Sequence, residues 1–208
     1  MHNIVFVSGH YPNDTYFANK TREIIEKYTL MHNYGFYYDN NVIDETYVSS
    51  LHFIRCRTLC DASKCFPDAK WFVWVDSDVF VNFNNEHLSL ESQIDLSDEN
   101  ILYHTFHESP WGCYPINTGV KIVNKKAIKY EEEMWGLRNT SPWNEFPWEQ
   151  KTLYEYIFPR LNIAEYRIHD PYILNCIIKA YPDKINNALF LHMCAMTKDE
   201  RDDYIRNI

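Results

Sequence analysis

Glycine is scarce in this chain, with five residues among 208, and neither G-x-G-x-x-G nor G-x-x-x-x-G-K-[ST] occurs. Both loops need glycine so that the backbone can close on phosphate oxygens, and their absence counts against a Rossmann dehydrogenase and a P-loop nucleotidase. Basic runs are lacking too. Lys and Arg number 20 against 29 Asp and Glu, a formal net charge of −9, which repels nucleic acid and anionic membrane. No apolar stretch reaches the roughly 18–20 residues that span a bilayer. The first residues read directly into a strand, with no basic start, long apolar core or small-residue cleavage site. The expectation is a cytoplasmic protein without a secretory signal. Cys56, Cys60, Cys65, Cys113, Cys176 and Cys194 fit no zinc spacing and read as free thiols, mostly buried, in a reducing compartment.

What is present is a core. Hydrophobic residues make up 46% and aromatics 16%, enough for one domain spanning residues 1–208 and too short a chain for two comfortable ones. Strands are expected at Asn3–Ser8, Phe36–Tyr38, Trp71–Val75, Ile101–Phe106, Val120–Val123, Ala164–Ile168 and Ala188–Met193. Helices are expected from Thr15 to about Asn33, Val48–Cys65, Lys125–Trp135, Glu149–Ile157 and Tyr172–Ala180, with Pro12-Asn13-Asp14 as a turn before the first. Lys198–Ile208 reads as a terminal helix or the start of a linker. Strands alternating with helices predict an α/β domain with a parallel sheet.

The most informative stretch is Asp76-Ser77-Asp78, which closes the apolar run Trp71-Phe72-Val73-Trp74-Val75. A bare Asp-x-Asp is common, and an acidic turn gives the same letters. The context is what matters here. The run before it is that of a strand buried on both faces, and in open α/β sheets ligands bind beyond the carboxyl ends of strands. Two carboxylates there can share one divalent cation, and an acidic protein binding an anionic ligand needs such a cationic device.

Three further signals are modest singly. His192 ends the run Ala188-Leu189-Phe190-Leu191, with Lys198 following; a neutral imidazole beside two carboxylates suits Mn²⁺, whereas oxygen ligands alone favour Mg²⁺ or Ca²⁺. Gly119 in Asn117-Thr118-Gly119 marks close backbone approach or a positive φ. Glu149-Gln150 opens a predicted helix beside Trp148.

Their order along the chain resembles metal-dependent glycosyltransferases of the GT-A fold, and the stretch from Pro67 to Asp78 resembles the galactosyl/xylosyltransferase family 34. The whole chain is similar to the N-terminal transferase domains of larger chlorella-virus proteins that glycosylate the major capsid protein. The resemblance implies a Rossmann-like GT-A domain with a mainly parallel central sheet flanked by helices. It implies a UDP-sugar donor, a glycan or glycoprotein acceptor, Mn²⁺ or Mg²⁺, and transfer with retention of configuration by a monomeric domain, in the host cytoplasm if viral. Asp76, Asp78 and His192 match the metal ligands, with Ser77 between the aspartates. Lys198 matches a diphosphate contact in a His-x-x-Gly-x-x-Lys pattern, although Ala195 stands where that pattern has glycine. Asn117, Thr118 and Gly119 would line the sugar pocket, and Glu149-Gln150 takes the place of an Asp-Gln pair on the donor sugar. Ser8, Gly9 and Tyr11 are candidates for the base and ribose by position. Of Arg55 and Arg57, the second is preferred for the diphosphate. The sugar stays open among glucose, galactose, xylose and L-rhamnose, the viral resemblance pointing to the last. Trp111, Trp143 and Trp148 are candidate acceptor platforms or packing anchors. A sugar-nucleotide or glycan-binding module without catalysis and a metal-dependent phosphohydrolase are the competing readings.

Overall fold

The apolar run Trp71–Val75 becomes a strand because every one of its side chains can be buried, and all five are. The computed structural model describes residues 2–10, 15–40, 51–112 and 114–208, so Tyr11 and the Pro12-Asn13-Asp14 turn lie outside the described residues, as do Cys113 and the expected start of the second helix. A six-stranded sheet is ordered β2 (Gly35–Asp39), β1 (Ile4–Gly9), β3 (Trp71–Val75), β6 (Ile116–Asn124), β5 (Tyr103–His107), β7 (Tyr166–His169). The strand β1 pairs in parallel with β2 and β3, and β5 pairs in parallel with β7, while β6 runs antiparallel to both its neighbours. The sheet is therefore mainly parallel, with β6 alone reversed.

Alternation along the central strands feeds two cores. Ile4, Phe6, Trp71, Val73 and Val75 face one side, together with Ile25 and Tyr28 of α1 (Tyr16–Met31). Val5, Val7, Phe72 and Trp74 face the other, with Leu59 and Ala62 of α2 (Ile54–Cys65) and Met134 of α3 (Ile128–Leu137). A second, three-stranded sheet of β4 (Val79–Val81), β9 (Phe190–His192) and β8 (Cys176–Ile177) packs on the α1 side. The short turn α4 (Glu149–Lys151) leads into a π-helical segment, and α5 (Lys198–Arg206) closes the chain against α1. There Asp202 accepts the backbone N–H of Phe17 at 3.0 Å, which supplies the cap that Thr15 does not.

Two readings from periodicity need correction. Tyr172–Ala180 is not a helix: Cys176 and Ile177 pair in parallel with β9, and the carbonyl of Ile173 accepts from Leu189 and Phe190. Strand partners distant in sequence outcompete a local helical pattern. The segment expected at Val120–Val123 also begins earlier, at Ile116, so Asn117-Thr118-Gly119 lies within β6. That strand carries a charge inward as well. Lys121 Nζ sits 2.9 Å from both carboxylate oxygens of Glu131, with both side chains fully buried. Burial pulls the Lys121 pKa down, and the Glu131 carboxylate more than restores it.

Candidate active site

Asp76-Ser77-Asp78 is the link between the two sheets: β3 ends at Val75 and β4 begins at Val79. Backbone bonds hold the link in place. The Asp76 N–H donates to the Gly119 carbonyl of β6 at 2.7 Å, and Met193 beyond β9 donates to the Asp78 carbonyl at 2.9 Å. The β4–β9 register sets His192 opposite Val79, which is how residues far apart in sequence meet. Ser77 is pinned through its carbonyl by Thr21 of α1 at 2.6 Å and through its hydroxyl by His10 at 2.7 Å.

Ligand atoms of Asp76, Asp78 and His192 all lie within 4.8 Å of one another. Two carboxylates and one imidazole nitrogen are a donor set that fits a divalent cation. The surroundings of the two aspartates differ. Asp76 accepts from Trp74 Nε1 at 2.6 Å and pairs with Arg55 at 3.2 Å. Burial raises its pKa despite that arginine, and the Asp78 charge adds to the rise. Asp78 lies 3.3 Å from His192 Nε2 and 2.8 Å from Arg201. Burial opposes its charge too, but His192 and Arg201 outweigh it and its pKa is depressed. His192 moves the other way: burial disfavours its charge, and the Asp78 carboxylate overcomes this and raises the pKa.

A cleft of about 400 Å³ opens above this cluster, lined by Gly9, His10, Asp39, His52, Arg55, Asp76, Ser77, Asp78 and Arg201 among others. Its volume is that of a small-ligand site. Two arginines flank the aspartates within an otherwise acidic protein.

The expected residues fall into three groups. Gly9, Asp76, Ser77 and Asp78 line the cleft, while Ser8 is buried in β1. Behind the cleft wall stand Asn117, Thr118, Gly119, Glu149 and Gln150. Thr118 lies between Arg55, at 2.6 Å, and the Glu149 carboxylate, to which it donates. Glu149 is itself 2.9 Å from Arg55, and Gln150 donates to the Ile116 carbonyl at 2.9 Å. Glu149 thus faces an arginine rather than the open cleft. Arg57 and Lys198 do not line the cleft. Arg57 is paired with Asp39 at 2.5 Å, and Lys198 is exposed at the start of α5. Arg55 and Arg201 line the cleft instead. The three-residue spacing from Lys198 to Arg201 puts both on one face of a helix, a signal available before the structure. His10, His52 and Asp39 also went unread, since nothing local marks them.

Gly119 is required by proximity. Its φ is not in the left-handed region, but a Cβ there would lie 2.2 Å from His192 Cε1. Ala195, by contrast, sits at φ 64°, a left-handed conformation that glycine adopts without strain. Of the tryptophans, Trp148 stacks on His52 at 4.6 Å and Trp143 meets Tyr156 at 5.2 Å, whereas Trp111 is 60% exposed. No disulfide forms among the described cysteines, and Cys56, Cys60 and Cys176 are buried.

Comparison with known proteins follows the same lines. A family model for the galactosyl transferase GMA12/MNN10 family matches residues 2–144. The crystal structure of a glycosyltransferase involved in glycosylation of the major capsid of PBCV-1 superimposes with a TM-score of 0.95 at 52% identity, covering 99% of each chain. The glycosyltransferase GlyE of Streptococcus pneumoniae TIGR4 shares the fold, with a TM-score of 0.61 at 14% identity over 96% of this chain and 56% of its own. No curated protein matches. Among the described residues, no helix is long and apolar enough to cross a membrane.

Proposed function

The chain belongs to the galactosyl transferase GMA12/MNN10 family and is a glycosyltransferase, and we propose that it moves a sugar from a UDP-sugar to a glycan or glycoprotein acceptor in a metal-dependent reaction that retains configuration. The observation that carries this is the Asp76, Asp78 and His192 cluster, whose two aspartates line the cleft between Arg55 and Arg201 while His192 is buried beside them. Those three residues would hold Mn²⁺, with Mg²⁺ as the second choice, since one ligand is an imidazole nitrogen. A divalent cation bound there would offset the charge that the diphosphate gains as it leaves.

The chain's own residues do the rest. Arg201 is 2.8 Å from Asp78 and takes the diphosphate role expected of Lys198. Stabilising charge that grows on the leaving group lowers the barrier more than it tightens ground-state binding. Arg55 is fixed by Glu149, Thr118 and Asp76, so its guanidinium is aimed before any donor arrives. Glu149 acts through Arg55. A buried, paired carboxylate is a poor nucleophile, which favours attack on the face the diphosphate leaves over a covalent glycosyl intermediate. Gly9 and Asp39 at the strand ends face the nucleoside side of the cleft. The acceptor is a capsid glycoprotein, by likeness to the PBCV-1 enzyme, with Trp111 as its exposed stacking surface and the host cytoplasm as its location. The functional unit is a monomeric domain.

The test is calorimetry of UDP with Mn²⁺ present and again after EDTA, followed by a UDP-sugar screen with product analysis. Micromolar binding that disappears with the metal, and a donor that yields UDP and a glycosylated acceptor, support the reading. No binding in either condition removes it, as does Asp78→Ala retaining full turnover.

A further inference from the structure

We propose that Asn175 is a positioning residue that sets the tautomer of His192 and leaves its Nε2 lone pair facing the two aspartates. This deepens the metal-site reading and rests on it for its consequence, though not for its geometry. The backbone N–H of Gly119 lies 2.8 Å from Asn117 Oδ1, and a backbone N–H can only donate, so that atom of Asn117 is its carbonyl oxygen. Asn175 approaches the same oxygen at 2.9 Å and must present its NH₂ group. Its own carbonyl oxygen therefore faces His192 Nδ1, at 2.9 Å. Nδ1 must donate, so it carries the proton. A neutral imidazole protonated at Nδ1 has its lone pair on Nε2, the nitrogen 3.3 Å from Asp78. The far end agrees, because the Asn117 NH₂ donates to Glu108 at 3.0 Å.

This orientation is opposed locally, which is why it needs a device. Asp78 alone would draw the proton to Nε2 and block the site. Asn175 and Asn117 are 0% and 4% exposed, so their bonds face no competition from water, and an unsatisfied amide there would be costly. Such partners of a metal-binding histidine typically govern affinity by about 10–100-fold. Asn175 lies in the segment whose helical periodicity gave way to strand pairing, and only that pairing brings it beside His192.

The test compares wild type with Asn175→Leu and Asn175→Asp, two side chains of nearly the same size. The measurements are imidazole ¹⁵N shifts in the metal-free protein at a pH where the ring is neutral, Mn²⁺ affinity from the paramagnetic resonance of the free ion, and the urea midpoint. Wild type should show the Nδ1–H form. Asn175→Leu should shift to Nε2–H and bind Mn²⁺ about 10–100-fold more weakly. Asn175→Asp keeps an oxygen on Nδ1–H and should hold Mn²⁺ better than the leucine variant while being the less stable of the two, because it buries a charge. A packing role predicts instead that affinity follows stability. An Nε2–H wild type, or a leucine variant with unchanged Mn²⁺ affinity, overturns the proposal without recourse to any variant that fails to fold in the first case. Wild type with Nδ1–H and no Mn²⁺ binding upholds the tautomer assignment and sinks the metal reading.

Discussion

Replacing Gly119 by alanine adds one methyl group and no charge, yet it should dislodge a metal ligand. The added carbon would lie 2.2 Å from His192 Cε1, 2.8 Å from Nδ1 and 3.0 Å from Asn117 Oδ1. Carbon contacts settle at about 3.5 Å or more, so the ring must retreat by roughly 1 Å. It has little room to do so, because His192 is 3% exposed and tied to Asn175. Overpacking of this kind costs about 1–3 kcal/mol, and movement of the ligating nitrogen should weaken Mn²⁺ binding by about 10-fold or more. A double-mutant cycle isolates the clash. In a His192→Ala background only the 3.0 Å approach to Asn117 Oδ1 remains, so Gly119→Ala should cost much less there, giving a coupling of about 1–3 kcal/mol between the two sites. Urea unfolding gives the stabilities and resonance of free Mn²⁺ the affinity. Equal destabilisation in both backgrounds, or wild-type Mn²⁺ affinity in Gly119→Ala, would refute the reasoning.

Two further outcomes are expected. Ala195 occupies a positive φ of 64°, which disfavours a β-carbon by about 1–2 kcal/mol; after the entropy glycine adds to the unfolded chain, Ala195→Gly should gain up to about 1 kcal/mol in urea unfolding, and a loss would show the strain to be absent. His192 has a folded pKa raised above its ordinary 6.5, through Asp78 against the effect of burial. Its contribution to the metal-free protein is full below pH 6.5 and is lost as pH rises through the folded value. Mn²⁺ needs the unprotonated ring, so its stabilisation, about 2.7 kcal/mol at 100 times Kd, should grow over that same window. Melting curves with EDTA and with Mn²⁺ should diverge as pH rises, and parallel curves would rule out His192 as a ligand.

Much of the fold was legible because burial leaves a local mark. Trp71–Val75 reads as a strand covered on both faces from its letters alone, and the helix from Tyr16 announces itself by spacing. Asp76 and Asp78 were legible for the same reason, since polar groups ending a buried strand must face an opening. His192 was marked in the same way at the end of its own apolar run. The segment Tyr172–Ala180 misled because two residues of strand pairing carry no periodicity of their own.

The tertiary structure decided which charges meet. Arg55 and Arg57 are two residues apart on one helix, and α2 rotates the first onto Asp76 and Glu149 and the second onto Asp39. Lys198 and Arg201 share a face, but the packing of α5 against α1 brings only the second to Asp78. Glu149 meets Arg55 of α2 and Thr118 of β6, and Asn175 meets Asn117 of β6 and His192 of β9, all on elements distant in sequence. Apolar burial depends on a residue's own neighbours along one element, so the sequence records it. The pairing of charges and amides depends on directions in space between elements, and those exist only once the sheets have docked.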